Sequence, residues 1–151
     1  MILPDFKAFP RTGRIVGIDW GAARTGVAVS DASREFVFTR DAIAARRAGV
    51  CDLARRVADV VANEGAVGII IGLPLHADGT ESDTTTRVRE FATALTQVTD
   101  LPIYLLDESY SSVIAQSEMG RVRRTDIKQK LDSASARVIL ENAISLIRRA
   151  Q

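Results

Sequence analysis

Acidic residues at three distant places in the chain have surroundings suited to chemistry. Asp19 ends the apolar run "RIVGID", with Gly21 two residues on; Asp107 and Glu108 end a second run, "IYLLDE". Asp132 opens "DSASARVILENAI", where positions four, seven and eleven residues later are Ala136, Ile139 and Ala143. On a helix that spacing puts Asp132 on the face of its small and apolar residues. A carboxylate at the head of a buried stripe is unfavourable unless a cation meets it. Several carboxylates gathered together would repel and be driven partly neutral. Divalent cations remove that difficulty. Mg²⁺ takes a few carboxylate oxygens together with substrate phosphate, and two such ions about 4 Å apart support phosphodiester cleavage. Plainer roles also exist: a turn-making Asp19, a strand-end acid paired with an arginine, and an Asp132 favoured by a helix dipole. Adjacent strand residues point to opposite faces, so only one of Asp107 and Glu108 shares the side of Asp19. Spacing alone leaves that choice open.

The elements that would position these acids follow from periodicity. Residues 14–19 and 25–30 are rich in Ile and Val, and "WGAAR" between them punctuates an antiparallel hairpin that "EFVFTRDAI" extends into a meander. Leu53, Val57, Val60 and Val61 recur at helical spacing over residues 50–63, with Gly65 closing the helix. "VGIIIGL" is a continuous apolar run, the pattern of a central strand covered on both faces. A turn at Asp78 and Gly79 leads into a second helix, with Thr80 and Asp83 as the expected capping pair. Pro102 opens the strand carrying Asp107 and Glu108. A short helix near residues 112–119, a basic segment and a long C-terminal helix with Leu131, Val138, Ile139, Ile144 and Ile147 complete the order. The expected architecture is mixed α/β, an antiparallel meander joined to parallel strands and flanked by helices.

A chain of 151 residues, 46% hydrophobic and 26% charged, suits one domain with a real core. No apolar run approaches the roughly 20 residues of a membrane span. "MILPDFKAFPRTG" lacks the pattern of a signal peptide and reads as a short extension, residues 1–13, ahead of one domain over 14–151. Cys51 is the sole cysteine, which excludes an internal disulfide and suits a reducing cytoplasm. Twenty basic against nineteen acidic residues leave a net charge of +1, so a nucleic-acid partner must be argued from local patches. "RVRRTDIKQK" over residues 121–130, with five basic residues and one acid, is such a patch; its plainer reading is a solvated loop and helix face.

"GIDWGAARTGVAVSD", "IIIGLPLHADGTES", "YLLDES" and "LDSASARVILENAI" resemble, in this order, the motifs of the YqgF (RuvX) family. The similarity runs from about Arg14 to the C-terminus. The resemblance implies an RNase H-like fold and a metal-dependent nuclease, described for the family as a pre-16S rRNA nuclease and as Holliday-junction-resolvase-like. It carries the first acid onto Asp19, the strand-end glutamate onto Glu108 and the helix acid onto Asp132, as catalytic residues and as ligands of Mg²⁺ or Mn²⁺. The chain also departs from the family. Ser109, Ser111 and Ser112 stand where an arginine and threonines are usual, and Ser135-Ala136 replaces paired alanines. If the usual arginine holds a phosphate, this chain has lost that contact or moved it to the Arg121–Arg124 segment; Arg121, Arg123, Arg124, Lys128 and Lys130 are the candidate nucleic-acid-binding residues of the basic patch. Arg24, in the expected hairpin turn, suits either a phosphate or an acid.

Among other residues, His76 reads as an exposed bystander, Trp20 and Tyr110 as packing rather than base-stacking groups, and Cys51 as a packed helix residue. Gly72, Pro74 and Gly79 shape a strand-to-helix loop. The leading functional expectation is a nuclease acting on pre-16S rRNA, as monomer or homodimer. The enzymatic alternative is a resolvase of branched DNA, which requires a symmetric dimer. A non-catalytic RNA-binding assembly factor is the third, motivated by the altered "DES" motif. An actin-like ATPase needs two domains around its nucleotide, and this chain is too short for both.

Overall fold

The computed structural model describes residues 1–108 and 124–150, with side chains of the last helix described from Ser133 onward. Among these residues, the strands are β1 (Ile2–Leu3), β2 (Ile15–Asp19), β3 (Arg24–Ser30), β4 (Val37–Ala44), β5 (Gly68–Leu73) and β6 (Ile103–Asp107). The helices are α1 (Val50–Asn63), α2 (Asp83–Thr96) and α3 (Arg124–Ala150). The strands form one sheet in the order β1-β6-β5-β2-β3-β4. β2, β3 and β4 are the expected antiparallel meander, while β5 and β6 pair in parallel with β2 and with each other. The expected RNase H-like mixed sheet, flanked by helices, is the observed architecture.

Strand alternation divides the core in two. Val16 and Ile18 of β2, Val27 and Val29 of β3, and Ile69 and Ile71 of β5 pack against Leu53, Val57 and Val61 of α1 and Val88, Phe91 and Leu95 of α2. Ile15, Ala28, Ile70 and Leu106 face the other way, against Ala136, Ile139, Leu140 and Ala143 of α3. β5 is buried along its whole length, as "GIIIGL" requires of a strand covered on both faces. α1 spans the expected residues; Gly65 beyond it has φ +68°, the left-handed conformation that stops the chain from continuing as helix.

Four local expectations are corrected. The segment expected as an N-terminal extension is part of the fold: β1 adds a parallel strand beside β6, and Phe6 and Phe9 are buried in the α3-side core. Phe9 lies so close on β5 that a Cβ on Gly68 would stand 2.6 Å from its ring. The α2 N-cap is Ser82 rather than Thr80: the Ser82 hydroxyl accepts from the Thr85 amide while the Thr85 hydroxyl accepts from the Ser82 amide. Arg24 is the first residue of β3, paired with Ala44, and not part of the turn. Cys51 lies in α1 as expected but is exposed rather than packed. The helix expected near residues 112–119, Tyr110 and the serines of the "DES" motif lie outside the described residues. Among those described, no helix is long and apolar enough to cross a membrane.

Candidate active site

β2 and β5 run in parallel with Ile18 opposite Ile71, so Asp19 leaves β2 beside Gly72 of β5. Asp19 has the parity of Ile15 and Gly17 and therefore belongs to the face that α3 covers. On β6 the same face carries Tyr104 and Leu106. Asp107, which ends the strand opposite Leu73, is exposed and of the other parity. Glu108 returns to the α3 face. Its amide donates to the Leu73 carbonyl at 3.1 Å, and its carboxyl group folds back over Gly72. A Cβ built on Gly72 would stand 2.7 Å from both Cδ and Oε1 of Glu108 and 2.5 Å from Cδ1 of Ile139. The missing side chain at position 72 is thus the space that the Glu108 carboxylate occupies. Asp19 and Glu108, half-buried both, flank this one glycine at one edge of the sheet.

α3 crosses this face antiparallel to β2. Near its C-terminal end Arg148 donates to the Arg34 carbonyl, and Arg34 in turn donates to the carbonyl of Gly13, just before β2. Midway, Gly17 admits the helix so closely that a Cβ there would stand 2.8 Å from Leu140 Cβ and 2.9 Å from the Ala136 carbonyl oxygen. Toward its N-terminal end the Ser133 hydroxyl donates to the Arg40 carbonyl at 2.6 Å. The backbone of Asp132, adjacent to Ser133 and one turn before Ala136, therefore comes to the edge where β2 ends. By register and parity Asp19 ends β2 on the α3 face beside Gly72, over which the Glu108 carboxyl group folds, and the helix of Asp132 runs toward the same edge; the Asp132 side chain is outside the described part. Arg124, Lys128 and Lys130 lie on the first turns of the same helix, their side chains likewise undescribed, and Arg121 and Arg123 lie outside the described residues.

Beside this edge is a feature that motif reading missed. β3 pairs Thr25 with Ile43 and Val27 with Arg40, so Asp41 and Ala42 of β4 stand against Gly26 alone. That is a β-bulge, a device that bends a strand and re-aims its side chains, often next to a site. Gly26 is also the partner of Asp19. A cavity of about 420 Å³ opens there, lined by Arg24, Thr39, Asp41 and Ser133 among others. No residue type in "FVFTRDAI" signals the bulge; it follows from the register.

The RuvX family, described as Holliday junction resolvase, matches residues 13–146. The chain belongs to the RuvX family. Relatives agree along nearly the full length. A "Putative pre-16S rRNA nuclease" of Maridesulfovibrio salexigens is 38% identical over 138 residues, covering 85% of this chain and 95% of the relative. One of the same name from Sphingopyxis alaskensis is 37% identical over 149 residues, covering 97% and 96%. Among solved structures, Thermus thermophilus RuvC in complex with Holliday junction substrate superposes with a TM-score of 0.60 at 13% identity, over 92% of this RuvX chain and 97% of that one. The fowlpox virus Holliday junction resolvase gives a TM-score of 0.51 at 12% identity, over 91% and 99%. At such identities the shared property is the fold.

Proposed function

We propose that this RuvX-family hydrolase is a divalent-metal-dependent nuclease that cuts phosphodiester bonds of precursor 16S rRNA in the cytoplasm. The reading rests above all on Glu108 folded over Gly72 beside Asp19: two carboxylates share one face of one edge, and no side chain at position 72 fills the ground between them. This oxygen-only donor set, open toward α3, suits Mg²⁺ or Mn²⁺ rather than a softer metal. Asp19, Glu108 and Asp132 are the residues that would hold the ion, Asp132 completing the set from the helix. When bound, the ion supplies Lewis-acid stabilisation of charge at the phosphodiester. The chain's own part is to fix the carboxylates on rigid strand ends and to orient the substrate. Arg24, lining the adjoining cavity, is a cation available to a phosphate next to the cut. Arg121, Arg123, Arg124, Lys128 and Lys130 would hold the flanking RNA backbone through salt-sensitive contacts. Attack by water in line with the departing 3′ oxygen leaves a 5′-phosphate and a 3′-hydroxyl.

The family's description favours a second substrate, branched DNA, cut by a symmetric dimer. One experiment separates the readings: incubation with Mn²⁺ of precursor 16S rRNA and, in parallel, a four-way DNA junction. The parent is expected to cleave the RNA, and Asp19→Asn to lose more than about 100-fold in rate while melting at the parent's temperature. Preference for the junction would move the substrate to DNA. Full activity in Asp19→Asn would overturn the site, and cleavage of neither substrate would leave RNA binding as the function.

A further inference from the structure

Where β2 delivers Asp19 to the carboxylate edge, the next residue turns the other way. Trp20 belongs by parity to the face that α1 and α2 cover, and it packs in part against that core. It also lines a cavity of about 260 Å³ bounded by the β2–β3 turn, the segment after β4, the start of α1 and one side of α2. Val50 and Leu53 add apolar surface, and Arg46, Arg87 and Glu90 stand around it. Asp19 and Trp20 are consecutive, about 3.8 Å apart at Cα. The carboxylate edge and this cavity therefore lie back to back across the end of one strand.

The charged groups around the cavity are uncommitted. Among the described residues Arg46, Arg87 and Glu90 make no side-chain hydrogen bond or ion pair, although Arg87 and Glu90 sit one turn apart on α2. Neighbouring arginines behave differently: Arg89 pairs with Glu81, and Arg56 with Asp52. All three residues are exposed, so their charged ends are open to whatever enters. An apolar slot with a few convergent polar groups is the usual form of a ligand site. Here the lining also selects the ligand. An unpaired base of single-stranded RNA is recognised by stacking on an aromatic ring and by hydrogen bonds to its Watson–Crick edge. A carboxylate can only accept such bonds. Guanine alone among the four RNA bases offers it two adjacent N–H donors, at N1 and N2. Adenine and cytosine set a ring acceptor beside the amino group, and uracil flanks its one N–H with carbonyls. The two arginines match the phosphates of the same strand.

We propose that the Trp20 cavity takes one unpaired guanine of the RNA substrate, with its ring against the indole, its Watson–Crick edge on Glu90 and its phosphate beside Arg46 and Arg87. This rests on the nuclease reading above and adds a base preference to it. RNA crossing the end of β2 presents a phosphodiester to the carboxylates on one face and a nearby guanine to the cavity on the other.

Trp20 is the only tryptophan of the chain, so its fluorescence reports the cavity directly. Metal-free full-length protein in EDTA is titrated with four RNA pentanucleotides, all uridine except for a central G, A, C or U. The guanine-centred RNA is expected to change the emission saturably and to bind about tenfold more tightly than the other three. Glu90→Gln should abolish that preference. Arg87→Gln should weaken all four alike and lower the slope of log K against log salt by about 0.7. Both positions are exposed, so the variants should melt with the parent. No metal is present and nothing is cut, so a failure of cleavage in a separate Mn²⁺ assay would count against the nuclease reading alone. The proposal is overturned if the Trp20 emission does not respond, if the four RNAs bind alike, or if Glu90→Gln keeps the preference for guanine.

Discussion

Gly72→Ala tests the carboxylate edge by adding one methyl group. The new Cβ would stand 2.7 Å from the Glu108 carboxyl carbon and 2.5 Å from Ile139 Cδ1. Carbon atoms in contact rest at about 3.5–4.0 Å, so the carboxylate must retreat by roughly 1 Å. A misplacement of about 1 Å can cost about 100-fold in rate. Overpacking in a filled core costs about 1–3 kcal/mol, and the Ile139 contact, made by the far end of a flexible side chain, keeps this toward the lower end. A domain of this size loses about 2–4 °C of Tm per kcal/mol. The assay is single-turnover cleavage with Mn²⁺, alongside Mn²⁺ calorimetry and a thermal melt. Gly72→Ala should lose about 10- to 100-fold in rate and weaken Mn²⁺ binding while the Tm falls a few degrees. Adding Ile139→Val removes the Cδ1 atom; stability should recover in the double variant, and activity should not. A Gly72→Ala protein that cleaves and binds Mn²⁺ within about threefold of the parent would refute the position assigned to Glu108.

Two further outcomes follow from the packing. Gly17→Ala would drive a Cβ into the backbone of α3 at Ala136, so the helix must lift; melting should show a loss of about 1–3 kcal/mol, with slower cleavage because the same helix carries Asp132. Unchanged stability would contradict the close approach. Glu64 joins the end of α1 to Arg40 of β4 at 2.7 Å and to Arg14 at 3.6 Å. The Arg40 hydrogen bond, aided by the charges of Arg40 and Arg14, holds its carboxyl below the ordinary 4.5. A depressed carboxylate stabilises the fold above its unfolded value, and that stabilisation disappears as pH falls through the folded one. At pH 7, Glu64→Gln should therefore reduce stability by up to about 1 kcal/mol, as for a partly exposed pair screened by solvent. In denaturant titrations the difference should fade below about pH 4, and a difference constant from about pH 7 to pH 3 would show that the ion pair is not its source.

Local signals make much of the fold legible. The Ile and Val runs of β2 and β5, the helical spacing of α1 and the glycine beyond it are enough to order the elements. What escapes depends on distant partners. Ile2 and Leu3 pair with Ile103 and Tyr104, about a hundred residues away, and nothing in "MILPDF" announces that edge strand. The α2 start is hard to read because Thr85 fills the capping-box position where Glu or Gln is the recognisable signal. Alternation says that Asp107 and Glu108 diverge; spacing does not choose between them, the family resemblance points to Glu108, and the register of β6 on β5 puts Glu108 over Gly72 on the face of Asp19. No motif marks the cavity beside Trp20, since Arg46, Arg87 and Glu90 come to it from separate elements.

In the proposed site, strand ends and a helix far apart in sequence bring their carboxylates to one metal-holding edge. Anomalous diffraction from crystals soaked in Mn²⁺ tests it most directly. A peak is expected over Gly72, bounded by carboxylate oxygens of Asp19, Glu108 and Asp132 at roughly 2 Å. A fully occupied Mn²⁺ bound elsewhere, with these three carboxylates turned away from one another, would contradict it.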